Sequence, residues 1–241
     1  MAAPRQSAQL PATTIMTIEG EAVSQGAEPH RDCPLCPRLV TFRLEQRERY
    51  PDWHNAPVPS WFPVISGGGR SAVKLLVVGL APGLKGANCT GRPFTGDFAG
   101  DLLYDTLVKF GFAQGRYGAD PSDSLKLVDC GITNAVRCVP PQNKPVGAEI
   151  NNCRPFLNAT LAELPNLRVL VTLGKIAHDS TARTLGERVA AVPFGHNVTH
   201  RMAGYDVVSS YHCSRYNTNT NRLTEAMFHD VFERARKLVG R

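Results

Sequence analysis

The hydrophobic residues of this chain fall either in short continuous runs or at helical spacing. The runs with the length and apolar content of buried strands are Val73–Gly79, Leu127–Thr133, Arg168–Leu173 and Tyr205–Ser210. Apolar residues three or four positions apart predict a short helix in the later part of Asp32–Arg49, after the turn Cys33–Cys36. The same spacing predicts helices over Asp97–Gly111, Glu149–Leu164, Lys175–Thr184 and Thr224–Val239. In the first of these helices, Leu39, Phe42 and Leu44 are expected to face inward.

This alternation of strands and helices predicts an α/β fold, a three-layer α/β/α sandwich around a mostly parallel central sheet. In open sheets of this kind, ligands bind beyond the carboxyl ends of the strands. We therefore expect the functional residues in the loops that start at Gly79, Asn134, Gly174 and His212.

The length of 241 residues suits one domain, which we place at residues 31–241 after a flexible N-terminal tail of residues 1–30. Hydrophobic residues make up 42% of the chain and charged residues 20%, which is typical of a soluble globular protein. The sequence has neither a run of about 18 apolar residues nor a secretory apolar block near its start. We expect a protein without membrane contact, and its net charge of +6 suits a polyanionic partner.

The predicted loops carry side chains suited to chemistry. Glycines between Gly79 and Gly96 let the backbone approach a ligand, and Asp97 either caps the next helix or presents a carboxylate at the sheet edge. The amide of Asn134 both donates and accepts hydrogen bonds, as reading the edge of a base requires, although Asn is also common in turns. His212 follows a strand that should be buried. The glycine spacing matches neither a phosphate loop nor a dinucleotide fingerprint, so a nucleotide cofactor is not indicated.

The cysteines suggest a metal site. Cys33 and Cys36 form a C-x2-C turn, and Cys138 and Cys153 form a second, wider pair. Four thiolates can bind zinc or an iron-sulfur cluster, and unligated core thiols are the third possibility that the spacing leaves open. The odd total of seven cysteines argues against a complete disulfide framework and favours a reducing compartment. Cys89, Cys130 and Cys213 are expected to play no part in a metal site.

Taken together, these segments resemble the iron-sulfur uracil-DNA glycosylases. The resemblance rests on the four spaced cysteines, the Gly79–Gly83 loop, Thr90–Asp97, Ile132–Asn134 and the His212 loop. Within that superfamily, the chain is most similar to the fifth, UdgB-type family. It has the apolar Leu80 where the related fourth family typically has an acidic residue, and it has Asp97 directly after Thr95-Gly96. The likeness extends from about Cys33 to the C-terminal helix.

The resemblance implies a base excision repair enzyme that flips uracil, hypoxanthine or xanthine out of DNA and hydrolyses the N-glycosidic bond. By position in the motifs, the catalytic residues would be Asp97, which assists the water, Asn134, which bonds the base edge, and His212, which faces the leaving base. The substrate pocket would be formed by Gly79, Leu80, Ala81, Asn134 and Phe94, with Phe94 stacking on the base.

The resemblance also implies further contacts and a cofactor. Ser214, Arg215 and Tyr216 would contact the DNA that contains the deaminated base. A structural 4Fe-4S cluster would be held by Cys33, Cys36, Cys138 and Cys153. We expect the protein to be a monomer. We also expect it to work in the cytoplasm of a bacterial-type cell, associated with the nucleoid.

Two other functions remain alternatives to a monofunctional glycosylase. One is covalent capture of DNA through a histidine in the first loop, but no histidine lies between Gly79 and Asp97. The other is a lesion-binding or redox-sensing DNA-binding protein in which the cluster acts and no bond is cut. Because Lys85 is the one lysine in the loops 79–97, 132–141 and 211–217, we expect hydrolysis by water rather than an imine intermediate.

Overall fold

The computed structural model describes residues 26–64 and 69–240, and its elements follow the predicted alternation. The helices are α1 (Pro37–Arg49), α2 (Ala87–Thr90), α3 (Phe98–Lys109), α4 (Gly147–Ala162), α5 (Lys175–Thr184), α6 (Arg215–Asn219) and α7 (Glu225–Val239). The strands are β1 (Leu75–Gly79), β2 (Ala113–Gln114), β3 (Lys126–Leu127), β4 (Cys130–Asn134), β5 (Val169–Leu173), β6 (Val198–Met202) and β7 (Tyr205–Ser210).

The central sheet has the strand order β4-β1-β5-β7-β6. The strands β4, β1, β5 and β7 run parallel to one another, and β6 joins the edge as an antiparallel partner of β7. The prediction of a mostly parallel central sheet is therefore confirmed. The carboxyl ends of the four parallel strands meet at one edge, where Gly79 of β1 lies beside Asn134 of β4.

Alternate residues of β1 face two different helical layers. Leu75 and Val77 pack in the core shared with α3 and α7, whereas Leu76 and Val78 pack in the core shared with α4 and α5. The sheet is covered on both faces, which explains why all five residues of β1 are buried and why the strand appears in the sequence as an apolar run. This arrangement is the predicted three-layer sandwich.

Two strand predictions differ from the structure. The run Leu127–Thr133 forms two strands, because the chain turns at Asp129 with a φ of +53°. On one side of this turn, β3 pairs with β2 in a short hairpin, and on the other side β4 enters the sheet. Strand β6 was not predicted, because only Met202 of its five residues is buried and this edge strand therefore lacks a distinct apolar pattern.

The inner face of α1 is more polar than predicted. Leu39 is buried as expected, but Leu44 is 48% exposed, so its predicted inward position is wrong. Arg43 and Gln46 are buried instead. Arg43 donates hydrogen bonds to the carbonyl oxygen of Cys33 (3.1 Å) and to Sγ of Cys138 (3.8 Å), which gives its charge partners inside the fold.

The packed chain begins before residue 31. Residues 1–25 of the predicted tail lie outside the described residues, but Ala27 is buried and Glu28 pairs with the buried Arg137 at 2.9 Å. No helix among the described residues combines the length and the apolar character needed to cross a membrane.

Candidate active site

A cavity of about 550 Å³ lies at the carboxyl edge of the sheet, where the sequence placed the functional loops. Its lining includes the predicted residues Leu80, Ala81, Phe94, Asp97, Asn134, His212, Ser214 and Arg215. Gly79 is buried at the end of β1, and Tyr216 is exposed on α6. Segments from four separate loops of the sequence thus meet around one space.

The back of the cavity is formed by Phe94 and Asn134, which converge on Gly79. A Cβ built on Gly79 would lie 2.6 Å from Cζ of Phe94 and in contact with Oδ1 of Asn134. Since real Cβ atoms do not approach other atoms so closely, a glycine is required at this position for both side chains to enter the pocket.

The amide of Asn134 is almost fully buried at 3% exposure. Its Oδ1 atom has no hydrogen-bond partner within the described chain. Buried polar atoms in folded proteins are normally paired, so an unpaired amide oxygen beside a cavity is available to a ligand that carries a donor. The role of Asn134 in reading a base edge stays a prediction, and its unpaired oxygen is compatible with it.

Asp97 performs the predicted capping role and also faces the cavity. Its Oδ1 accepts a hydrogen bond from the backbone N–H of Gly100 (3.3 Å) at the start of α3. Its Oδ2 lies against two glycines of the first loop, 2.6 Å from a Cβ built on Gly86 and 2.9 Å from one built on Gly83. Burial raises the pKa of Asp97, and the backbone N–H groups of Gly100 and Ala99 partly oppose this rise.

His212 follows β7 and lies beside Phe94, with ring centroids 6.0 Å apart and the planes 26° from parallel. Burial lowers the pKa of His212 to about 4, so the imidazole is neutral at physiological pH. Its Nδ1 atom is buried without a hydrogen-bond partner in the described chain. A neutral imidazole with a free ring nitrogen can form one directed hydrogen bond to a ligand in the cavity.

Ser214 and Arg215, two of the three predicted DNA-binding residues, line the cavity together with residues that the sequence did not single out. Ser214 caps α6, the guanidinium of Arg215 lies 5.2 Å from the ring centre of Phe98, and Tyr216 is 71% exposed. The missed rim residues are Asn143, Lys175, Phe194, Tyr211 and Arg222. Lys175 directly follows the predicted loop start at Gly174, a signal that could have identified it, whereas Arg222 is brought to the rim by the turn after α6.

The four predicted ligand cysteines surround a second, smaller pocket. This pocket is lined by Cys33, Cys36, Cys138 and Cys153 together with residues of α1 and α4. None of the four thiols forms a disulfide. The tertiary structure therefore brings together two pairs that lie about a hundred residues apart in the sequence.

Three of these sulfur atoms accept hydrogen bonds from nitrogen donors. The guanidinium of Arg43 donates to Cys138 (3.8 Å), the side-chain amide of Asn152 donates to Cys36 (3.7 Å), and the backbone N–H of Arg137 donates to Cys153 (3.4 Å). Burial raises the pKa of Cys138 to about 11 and that of Cys153 to about 12. Without a bound cation, these thiols stay protonated at neutral pH.

Within residues 26–64 and 69–240, no group of three or more His, Cys, Asp or Glu side chains lies close enough together to hold a single metal ion. The four cysteines share the wall of one pocket without forming such a group.

Comparison with known proteins identifies the family. Residues 66–236 match the Uracil DNA glycosylase superfamily. A type-5 uracil-DNA glycosylase of Thermus thermophilus is 41% identical over 209 residues, covering 86% of this chain and 94% of that protein. Type-5 uracil-DNA glycosylases of Mycobacterium bovis and Pyrobaculum aerophilum are 39% and 37% identical, covering 86% and 87% of this chain and 78% and 90% of those proteins. The chain belongs to the uracil-DNA glycosylase superfamily.

The family match spans the whole described sheet. In this uracil-DNA glycosylase superfamily member, the matched segment runs from before β1 into α7 and contains all four pocket loops. The resemblance inferred from the Gly79, Thr90–Asp97, Asn134 and His212 segments is thereby confirmed. Cys33 and Cys36 lie before the matched segment.

Proposed function

We propose that the protein is a monofunctional DNA glycosylase that extrudes a deaminated base and hydrolyses its N-glycosidic bond with water. The observation that carries this proposal is the convergence of Phe94, Asn134, Asp97 and His212 on one cavity in a member of this superfamily. The relatives are named uracil-DNA glycosylases, so uracil is the first proposed substrate. Hypoxanthine and xanthine are proposed as further bases.

Base recognition is assigned to Phe94 and Asn134. Extruding a base from the helix costs a few kcal/mol, and stacking on an aromatic ring returns about 1–3 kcal/mol per base. Phe94 provides such a ring at the cavity wall, and the unpaired amide of Asn134 provides the contact to the base edge. The stacking interaction holds many bases, whereas the amide contact discriminates among them.

The carboxylate of Asp97 is assigned to the sugar side of the reaction. Breaking the N-glycosidic bond develops positive charge on the sugar and negative charge on the base. Oδ1 of Asp97 is fixed by its capping bond, and the partly buried carboxylate faces the cavity, where it can orient water and stabilise the sugar cation. Capping and catalysis are compatible because they use different oxygen atoms.

His212 is assigned to the base side. Because the low pKa keeps the imidazole neutral, His212 acts as a hydrogen-bond donor to the departing base and does not supply a full positive charge. This assignment is supported by the position of the imidazole, whose ring centre lies 6.0 Å from that of Phe94.

Water is favoured over an amine as the nucleophile. The lysine expected near the pocket, Lys85, is not part of the lining, and Lys175 is found at the rim instead. The ammonium group of Lys175 pairs with Asp179 at 2.6 Å and its side chain is 64% exposed. An amine that forms an imine must be deprotonated and close to the sugar, and an exposed, paired ammonium does not meet that requirement.

We propose also that Cys33, Cys36, Cys138 and Cys153 hold a 4Fe-4S cluster. Support comes from four thiols that line one pocket and from three nitrogen donors directed at their sulfur atoms, since hydrogen bonds to cluster sulfurs are typical of such sites. A bound cluster would supply a structural crosslink between the turn before α1, the loop after β4, and α4.

The proposed activity is tested with a duplex that contains one uracil and a matched duplex that contains thymine. We expect free uracil and an alkali-labile abasic site from the first duplex and no product from the second. Binding without release of a base would support a lesion-binding protein, and a DNA crosslink that survives denaturation would support covalent capture. Either result would contradict the proposal.

The proposed cluster is tested by iron and sulfide analysis and by absorption in the thiolate-to-iron charge-transfer region. Cys153→Ala should abolish both signals and yield poorly soluble protein, whereas Cys89→Ala, outside this pocket, should retain them. Colourless protein that contains zinc in stoichiometric amount would overturn the cluster assignment.

A further inference from the structure

The loop that follows β2 contacts residues Phe94–Asp97, the catalytic turn, from outside the cavity. Tyr117 in this loop accepts a hydrogen bond from the backbone N–H of Gly96 (3.1 Å) and donates one to the carbonyl oxygen of Phe94 (3.3 Å). Tyr117 does not belong to the cavity lining, so its hydroxyl acts on the backbone of the turn and not on a ligand.

The backbone that Tyr117 holds is one that Phe94 adopts only under constraint. Phe94 has a φ of +53°, a left-handed conformation that is costly for an aromatic residue. Such a conformation persists when surrounding contacts determine it, and it directs the Phe94 ring over Gly79.

The same hydroxyl lies at the junction with α3. A Cβ built on Gly100 would lie 2.7 Å from Oη of Tyr117 and would collide with the carbonyl oxygen of Phe94. Gly100 also donates the capping bond to Asp97. The hydroxyl of Tyr117, the carbonyl of Phe94 and the first turn of α3 are therefore packed against one another.

The ring of Tyr117 is anchored independently of its hydroxyl. It packs on the ring of Tyr104, with centroids 4.6 Å apart, and lies 5.9 Å from the guanidinium of Arg92. Arg92 forms a two-point ion pair with Asp123 (2.8 and 2.7 Å), which also accepts the backbone N–H of Gly118 (2.9 Å). Because these contacts hold the ring, removing the hydroxyl alone should leave the loop in place.

We propose that Tyr117 is a positioning residue for base stacking: its hydroxyl bridges Phe94 and Gly96 and thereby fixes the direction of the Phe94 ring. The proposal rests on the proposed glycosylase function. Tyr117 acts through Phe94 and touches neither the base nor the reacting atoms.

The test is Tyr117→Phe, with Tyr205→Phe as a matched control on β7, far along the sheet from the catalytic turn. Cleavage of uracil DNA is measured in single turnover at saturating enzyme, together with affinity for the DNA and the melting temperature. We expect Tyr117→Phe, which removes both hydrogen bonds of the hydroxyl, to cleave about tenfold more slowly, with DNA affinity close to that of wild type and a melting temperature lower by a few degrees. Tyr205→Phe should match wild type in all three.

A second measurement separates positioning from general support of the fold. In a Phe94→Ala background the ring that Tyr117 directs is absent, so adding Tyr117→Phe should change the rate less than about twofold. An equal slowing in both backgrounds, an unchanged rate in the single variant, or a Tyr117→Phe protein that fails to fold would each overturn the proposal. If wild-type protein releases no base, the proposed function itself fails, and the two failures are distinguished.

Discussion

The edge of the Phe94 ring packs against Gly79, so that a Cβ on Gly79 would be 2.6 Å from Cζ and 2.8 Å from Cε2 of the ring. This contact connects the end of β1 with the turn before α3, in which Phe94 has a φ of +53°. In the sequence, the glycine-rich loop 80–93 separates the two residues. The positions of the Phe94 ring and the Asn134 amide at the cavity therefore depend on the absence of a single methyl group at Gly79.

Gly79→Ala is expected to inactivate the enzyme while leaving it folded. The added methyl group displaces the Phe94 ring and the Asn134 amide, and a displacement of about 1 Å in a catalytic site can slow a reaction about a hundredfold. Single-turnover cleavage of uracil DNA measures the loss. Gly147→Ala is the control, because a Cβ there meets nothing within 4 Å. Wild-type rates in Gly79→Ala would mean that the pocket accommodates the methyl group and that the stacking position is wrong.

Asp97→Asn is expected to lower the rate of cleavage and to retain DNA affinity. An amide oxygen can still cap α3, so the local fold persists, but the negative charge facing the sugar is lost. Single-turnover rates on uracil and hypoxanthine DNA should both fall. Wild-type rates on both bases would show that Asp97 serves as a helix cap alone.

The same substitution is expected to stabilise the folded protein at neutral pH. Burial raises the pKa of Asp97 in the folded state, so its contribution to stability is fully present below its unfolded value of 3.8 and is lost as pH rises through the raised folded pKa. The side chain of Asp97→Asn cannot ionise, so the stability of the variant does not fall with the ionisation of this buried group as pH rises. Urea unfolding at pH 7 should give a higher free energy of unfolding for the variant, and the difference should shrink on acidification. A variant that is less stable at pH 7 would contradict the burial of the charge.

His212→Ala is expected to slow release of uracil more than release of hypoxanthine. Uracil departs as an anion that gains from a hydrogen-bond donor, whereas a purine can leave after protonation of its ring. His229→Ala on α7 is the control. The pKa of His212 is about 4, so its imidazole does not change charge near pH 6.5, the ordinary pKa of histidine. The wild-type rate should therefore show no change near pH 6.5 that is due to His212. A rate change there that disappears in His212→Ala would refute the neutral-imidazole assignment.

Arg222→Ala is expected to weaken DNA binding without slowing the chemical step. Arg222 stands at the rim with its guanidinium 4.8 Å from the ring centre of Tyr211, and we expect this cation to contact a DNA phosphate. Loss of one phosphate contact should reduce the salt dependence of binding by about one unit of slope. Arg236→Ala at the end of α7 is the control. A slower rate at saturating enzyme would instead place Arg222 in the chemistry.

The elements that carry a local signal were predicted from the sequence alone. Strand β7 and helix α5 have the predicted bounds, because burial on both faces or on one helical face leaves a continuous or periodic apolar pattern. Asp97 was recognised for the same reason, since a cap is defined by the residues next to it. The resemblance that identified the family rests likewise on short local motifs.

The tertiary structure decided the features that depend on residues far apart in the sequence. Arg43 is buried and Leu44 is exposed because α1 turns the Arg43 side toward Cys138, 95 positions away in the sequence, where the guanidinium donates to the sulfur. Tyr117 has no local pattern that marks it, and its importance follows from contacts with Phe94 and Gly96 across a loop. Sequence by itself determined the fold class and the side chains available for chemistry, because periodicity and motifs are local properties. Which of those side chains share one cavity, and which outer residues hold them there, was decided by packing, because burial and hydrogen bonding depend on neighbours in space.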